Sequence, residues 1–157
     1  MKELLLTLLE KAINECYEKD KYLIDLGMEQ ASVARIFYYM QSLIENKNEF
    51  AHLRKYHVDC EYYKHDKYKK TTPRHKNGVR PDVILHKREV DNDNLLIIEF
   101  KSNSNNDCRN DYEKLEDFTI RSGEYHYELG VFVKLNKREA KYVYFQEGKE
   151  VEKTELK

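Results

Sequence analysis

Leu4, Leu5, Leu8, Leu9, Ala12, Ile13, Cys16 and Tyr17 return to one side of the chain at helical spacing. This predicts an amphipathic helix that ends near Asp20. The same period resumes after Gly27 in Val33, Ile36, Phe37, Met40, Leu43 and Ile44, and Asn46 to Asn48 close that second helix. The period then changes to two. Val58, Cys60 and Tyr62 alternate with His57, Asp59, Glu61 and Tyr63, the pattern of a strand. A second strand is expected over about 81–87, a turn over 91–94, and a third strand over 95–101. The third opens on the unbroken apolar run Leu95-Leu96-Ile97-Ile98, which predicts a central strand covered on both faces. A helix over about 107–121 should face inward with Leu115 and Phe118, and two strands, 127–135 and 141–146, close the chain. Two helices, three strands, a helix and two strands make an α/β fold with a mixed sheet.

No repeat, low-complexity stretch or Pro/Ser-rich linker divides these elements, and 157 residues suffice for one domain with a sizeable core. The apolar share of 40% is too high for a disordered chain, and a mean hydropathy of -0.89 suits a polar surface. The leucine run at the start is short and bracketed by Glu3 and Glu10, unlike a membrane span or secretory segment. Cys16, Cys60 and Cys108 are far apart and form no CxxC pair, so reduced thiols in a cytoplasmic protein are expected. The five glycines are too scattered for a phosphate-cradling loop. The six histidines show no HxH or HxxxH spacing, and no Gly-x-Ser-x-Gly elbow occurs.

The net charge of -1 argues at first against a nucleic-acid partner. Its distribution reverses that. Segment 64–80 holds Lys64, Lys67, Lys69, Lys70, Arg74, Lys76 and Arg80 against Asp66 alone, a local charge of +6, so the remainder carries -7. Tyr62, Tyr63 and Tyr68 interleave with these cations, with His65 and His75 besides. Such a loop can hold a phosphodiester backbone while its tyrosines stack on bases; the alternative is a flexible, solvated hairpin tip.

The segment leads into Asp82. Period-two alternation puts Glu99 and Lys101 on one face of the third strand, roughly 6.6 Å apart along it. If the second and third strands form a hairpin around 91–94, Asp82 and Glu99 converge. Two carboxylates at one point repel unless a cation lies between them, and oxygen donors suit Mg²⁺ or Mn²⁺. A neighbouring lysine can orient a metal-bound water or neutralise charge on a phosphate. The alternative is that Asp82 belongs to a turn and that Glu99 and Lys101 form a solvated face, which fits poorly at the end of so apolar a strand.

Arg80-Pro81-Asp82 followed by Ile98-Glu99-Phe100-Lys101 resembles the PD-(D/E)XK nuclease superfamily, and the element order over nearly the whole chain is similar to its restriction-endonuclease-like αβββαβ core. The resemblance implies a metal-dependent nuclease that cleaves phosphodiester bonds to a 5′-phosphate and a 3′-hydroxyl, with DNA favoured over RNA. It implies Asp82, Glu99 and the backbone carbonyl of Phe100 as ligands of Mg²⁺ or Mn²⁺, and Lys101 as the catalytic lysine. Many members carry a glutamate on the preceding helix that joins the metal site. Glu29, on the stripe of Val33 and Ile36, resembles it, although an acid in a first turn is also favoured by the helix dipole. In related nucleases the later helix often adds a polar side chain to the rim, which brings Lys114 toward a phosphate; an i,i+3 ion pair with Asp111 is the competing reading. Ser102 and Asn103 either line that rim or end the strand.

The same resemblance admits a catalytically inactive nuclease-fold module that binds nucleic acid or a protein partner. In either case 157 residues leave little room for a target-recognition domain, so either the substrate is recognised by its structure, or a second copy of the chain or a partner protein supplies specificity.

Overall fold

The computed structural model describes residues 1–65, 67–90 and 93–156, without the side chain of His65. Helix α1 (Lys2–Lys19) is followed by a short α2 (Lys21–Asp25), helix α3 (Glu29–Asn46) and a 3-10 turn, Asn48–Leu53. Strand β1 (His57–Cys60) precedes a two-stranded ribbon of β2 (Lys64–His65) and β3 (Tyr68–Lys69). Strands β4 (Val83–His86) and β5 (Asn94–Ser102), helix α4 (Arg109–Thr119), and strands β6 (Leu129–Leu135), β7 (Ala140–Gln146) and β8 (Lys149–Val151) complete the fold, with a last 3-10 turn at Lys153–Glu155.

Six strands form one mixed sheet in the order β1-β4-β5-β6-β7-β8. β1, β4 and β5 run as an antiparallel meander, and the β4–β5 hairpin is the predicted one. Asp91 and Asn92, at its expected turn, lie outside the described residues. β5 and β6 are parallel, which requires a crossover connection, and α4 supplies it.

Period-two alternation sorts the apolar residues of the inner strands onto two faces. Leu96, Ile98, Phe100, Val131 and Val133 join the stripes of α1 and α3 in the larger cluster. Ile84, Ile97, Phe132 and Phe145 meet Leu115 and Phe118 of α4, with Tyr125 and Tyr127, in the smaller one. Every β5 residue except Lys101 is buried, as a central strand demands. Gly130 sets how closely α4 approaches. A Cβ there would lie 3.1 Å from Thr119, 3.2 Å from Phe145 and 3.3 Å from Leu115.

Several boundaries differ from expectation for local reasons. The first strand stops at Cys60 because Glu61 turns into the left-handed region (φ 52). The second is confined to Val83–His86. Asn94 belongs to β5 rather than to a turn. The basic segment, read as a loop, contains the ribbon β2–β3, and short α2 and β8 carry too few residues to show a period. Among the described residues, no helix is long and apolar enough to cross a membrane.

Candidate active site

The β4–β5 register pairs Val83 with Ile98. One step beyond, Asp82 stands opposite Glu99. The Asp82 carboxylate reaches across the hairpin, and its Oδ2 accepts the N–H of Phe100 at 2.7 Å. Pro81, a further step back, has no N–H to donate, so the ladder ends here and leaves the β5 backbone open beside Asp82.

Glu29, the first residue of α3, arrives from the other face. Its Oε2 accepts the N–H of Ser102 at 2.6 Å. Ser102 is buried at the end of β5, its hydroxyl 3.1 Å from that of Ser104, and Asn103 is exposed in the following turn. Glu29 and Asp82 share a cavity of about 280 Å³ with Gln30, Val33, Ala34, Cys60 and Glu61.

Glu99 and Lys101 do share a face of β5, and that face meets α4. Lys101 Nζ lies 2.9 Å from Asp111 Oδ2. Lys114 Nζ donates to Glu99 Oε2 at 2.9 Å and to Asp111 Oδ1 at 3.2 Å. Lys114 is therefore held inside the molecule by two carboxylates, and the i,i+3 pair with Asp111 that competed with a phosphate contact is present. Sequence spacing placed Asp111 on the inward face of this helix, but only the packing of α4 on β5 shows that it orients Lys101.

Glu99 is fully buried, and its Oε1 has no hydrogen-bond partner among the described residues. Burial, then the charge of Asp82, push its carboxyl well above the ordinary glutamate range, against the pull of Lys114. Burial also raises Asp82, against the Phe100 N–H and Lys114. For both lysines burial works against the charge, but neighbouring acids outweigh it. Asp111, then Glu29 and Asp82, hold the Lys101 ammonium above its ordinary value, and Glu99 and Asp111 do the same for Lys114.

Four acids thus face two lysines at the end of β5. Among the described residues, no three His, Cys, Asp or Glu side chains stand together as a ready-made metal site. Instead the acids are interleaved with Lys101 and Lys114. The acid excess and the unpartnered Oε1 of Glu99 fit a divalent cation, which would relieve the buried carboxylate of its penalty. Glu29, Asp82, Glu99 and the backbone at Phe100 are the oxygen donors within this region.

The basic segment divides into two groups. Lys70, expected on a phosphate, is buried, its ammonium 5.1 Å from the Tyr62 ring and 5.3 Å from that of Tyr125, with Tyr127 and Phe118 close by. Tyr62, expected to stack on bases, packs on His86 at 4.7 Å instead. Arg74 is bound to α4 through Asp117, Glu116 and the carbonyl of Glu113. Lys70 is a correction to the predicted interface, because it is buried in the aromatic cluster; Arg74, although exposed, and half-buried Tyr62 are engaged within the molecule. Lys64, Lys67, Lys69, Lys76 and Arg80 remain exposed, as do Tyr63 and Tyr68. Asp66 and the His65 side chain lie outside the described residues. No protein-family model matches the chain, and no curated protein matches its sequence.

Proposed function

We propose that this chain is a metal-dependent nuclease of the PD-(D/E)XK type, acting on phosphodiester bonds of nucleic acid, with DNA favoured by the resemblance. The observation that carries this reading is the convergence of Asp82, Glu99 and Lys101 at one end of the β4–β5 hairpin, with Glu99 buried and one of its oxygens unpartnered. The succession of α3, three antiparallel strands, α4 and parallel β6 supports a restriction-endonuclease-like core.

Glu29, Asp82, Glu99 and the Phe100 carbonyl would hold Mg²⁺ or Mn²⁺. A bound divalent cation supplies an acidified water and withdraws charge from the phosphoryl oxygens. Lys101, oriented by Asp111, would use its ammonium to position the attacking water or to neutralise a non-bridging oxygen. Lys114 neutralises Glu99 and Asp111 and sets how many acid oxygens stay free for a cation. Water adds at phosphorus and the P–O3′ bond breaks. The water's proton leaves to solvent, and the departing 3′ oxygen takes one from solvent, giving a 5′-phosphate and a 3′-hydroxyl.

The closed ion pairs of Lys101 and Lys114 favour, as a second reading, a catalytically inactive module that binds nucleic acid or a protein through the same surface. Nicking of supercoiled plasmid with Mg²⁺ or Mn²⁺ separates the two. Wild type should cleave, and Asp82→Ala and Lys101→Ala should lose about a hundredfold or more in rate. No metal-dependent cleavage, or equal cleavage by both variants, would overturn the nuclease reading.

A further inference from the structure

A second groove adjoins the acidic cavity. It encloses about 390 Å³ between Tyr63, Lys69, Asn77, Gly78, Val79 and Arg80. Backbone hydrogen bonds tie its floor together: the Lys70 N–H donates to the Tyr63 carbonyl at 2.7 Å, and the Val79 N–H donates to the Lys70 carbonyl at 2.8 Å. Tyr62 and Lys70 enter the aromatic cluster, whereas Tyr63 and Lys69 stay exposed. Gly78 (φ 114) keeps the floor low, since a Cβ there would come 3.1 Å from the Lys69 stem.

Tyr63 is 44% exposed, with the Lys64 ammonium 5.3 Å from its ring centre, and Tyr68 on the adjoining ribbon is 77% exposed. The groove and the acidic cavity meet at one exposed ion pair. Arg80 lines the groove, Glu61 lines the cavity, and they are 3.6 Å apart. Pro81 alone separates Arg80 from Asp82.

We infer that this groove binds a single-stranded segment of nucleic acid, with an unpaired base on Tyr63 and backbone phosphates on Lys69 and Arg80. A duplex hides its base faces in its own stack and offers an outward tyrosine nothing to stack on. An unpaired base offers a π-face, and cations beside the ring hold the phosphate that comes with it. A phosphate on Arg80 takes the place of the Glu61 carboxylate and stands at the entrance to the cavity that holds Asp82. That last placement rests on the nuclease reading; binding in the groove does not.

The test is fluorescence anisotropy in EDTA, with one labelled sequence of about 12 nucleotides as single-stranded DNA, single-stranded RNA and blunt duplex DNA. At least one single strand should bind about tenfold tighter than the duplex, and Tyr63→Ala should erase about that factor while Tyr63→Phe keeps it. Lys69→Ala should reduce the salt dependence of binding by about one phosphate contact. Duplex binding as tight as both single strands, or Tyr63→Ala binding single strand as wild type does, would overturn the inference. Circular dichroism of each variant checks its fold. Because EDTA removes cleavage from the measurement, failure here leaves the nuclease reading standing. Strand binding without metal-dependent cleavage of any strand sinks that reading alone.

Discussion

Helix α4 carries a charge cluster near each end, and the two are built on opposite terms. Toward its C-terminus, Asp117 accepts from Arg74 and from the Thr72 hydroxyl at 2.6 Å, while Arg74 also binds Glu116 and the Glu113 carbonyl. Acids near a helix C-terminus are unfavourable, and a guanidinium placed there offsets them. Burial alone would raise the Asp117 carboxyl, but the hydrogen bonds from Arg74 and Thr72 prevail and hold it below the ordinary aspartate range. Toward the N-terminus, Asp111 and Lys114 meet Glu99 and Lys101 with a buried oxygen left over, and the Glu99 carboxyl is driven upward. Both clusters contain acids and bases in contact. The C-terminal one is satisfied and fastens the basic segment to the core. The N-terminal one leaves a buried Glu99 oxygen without a hydrogen-bond partner, so the two differ in satisfaction rather than in composition.

Removing one charged partner from each cluster should destabilise the protein unequally. Lys114→Ala strips Glu99 and Asp111 of a shared partner where both are buried, and should cost about 3–5 kcal/mol. For a chain of this size that is a fall in melting temperature of roughly 6–20 °C. A divalent cation should act in the opposite direction at the same place. At about a hundredfold over its Kd, Mg²⁺ or Mn²⁺ should stabilise wild type by about 2.7 kcal/mol, and Glu99→Gln should lose most of that gain in a thermal-shift titration. An equal shift in both proteins would place the cation elsewhere.

At the satisfied cluster, Asp117→Asn keeps the shape and removes the charge, and should cost about 1.5 kcal/mol in urea unfolding at pH 7. The sign with pH follows from the depressed carboxyl. The Asp117 contribution is complete above the ordinary aspartate value of 3.8 and is lost as pH falls through the lower folded value. Wild type and Asp117→Asn should therefore converge in stability toward low pH. The smallest effect belongs to the exposed Arg109–Glu113 pair on the same helix, where Arg109→Ala should change stability by about 0.3–0.5 kcal/mol and lose that difference in high salt.

Much of the frame was legible in the chain because burial imposes a period. The stripes of α1 and α3 follow from the 3.6-residue repeat, and the unbroken run before Glu99 follows from a strand with two covered faces. Spacing alone put Glu99 and Lys101 on one face and Asp111, Leu115 and Phe118 on another. What spacing could not contain is which face meets which. That depends on the β4–β5 register, which sets Asp82 against Glu99, and on α4 crossing to a parallel β6, which brings Asp111 and Lys114 over β5.

The basic segment shows the limit most clearly. Its seven lysines and arginines read alike in one dimension, since charge has no period to separate inward from outward residues in so short a ribbon. The α/β succession of elements and the local charge of +6 are written in the order of residues along the chain. Tertiary structure decided that Lys70 would enter a cage of rings and Arg74 would bind α4, while Lys69 and Arg80 faced a groove. Each lysine or arginine goes where its desolvation is offset, and only the assembled fold supplies the rings and carboxylates that offset it.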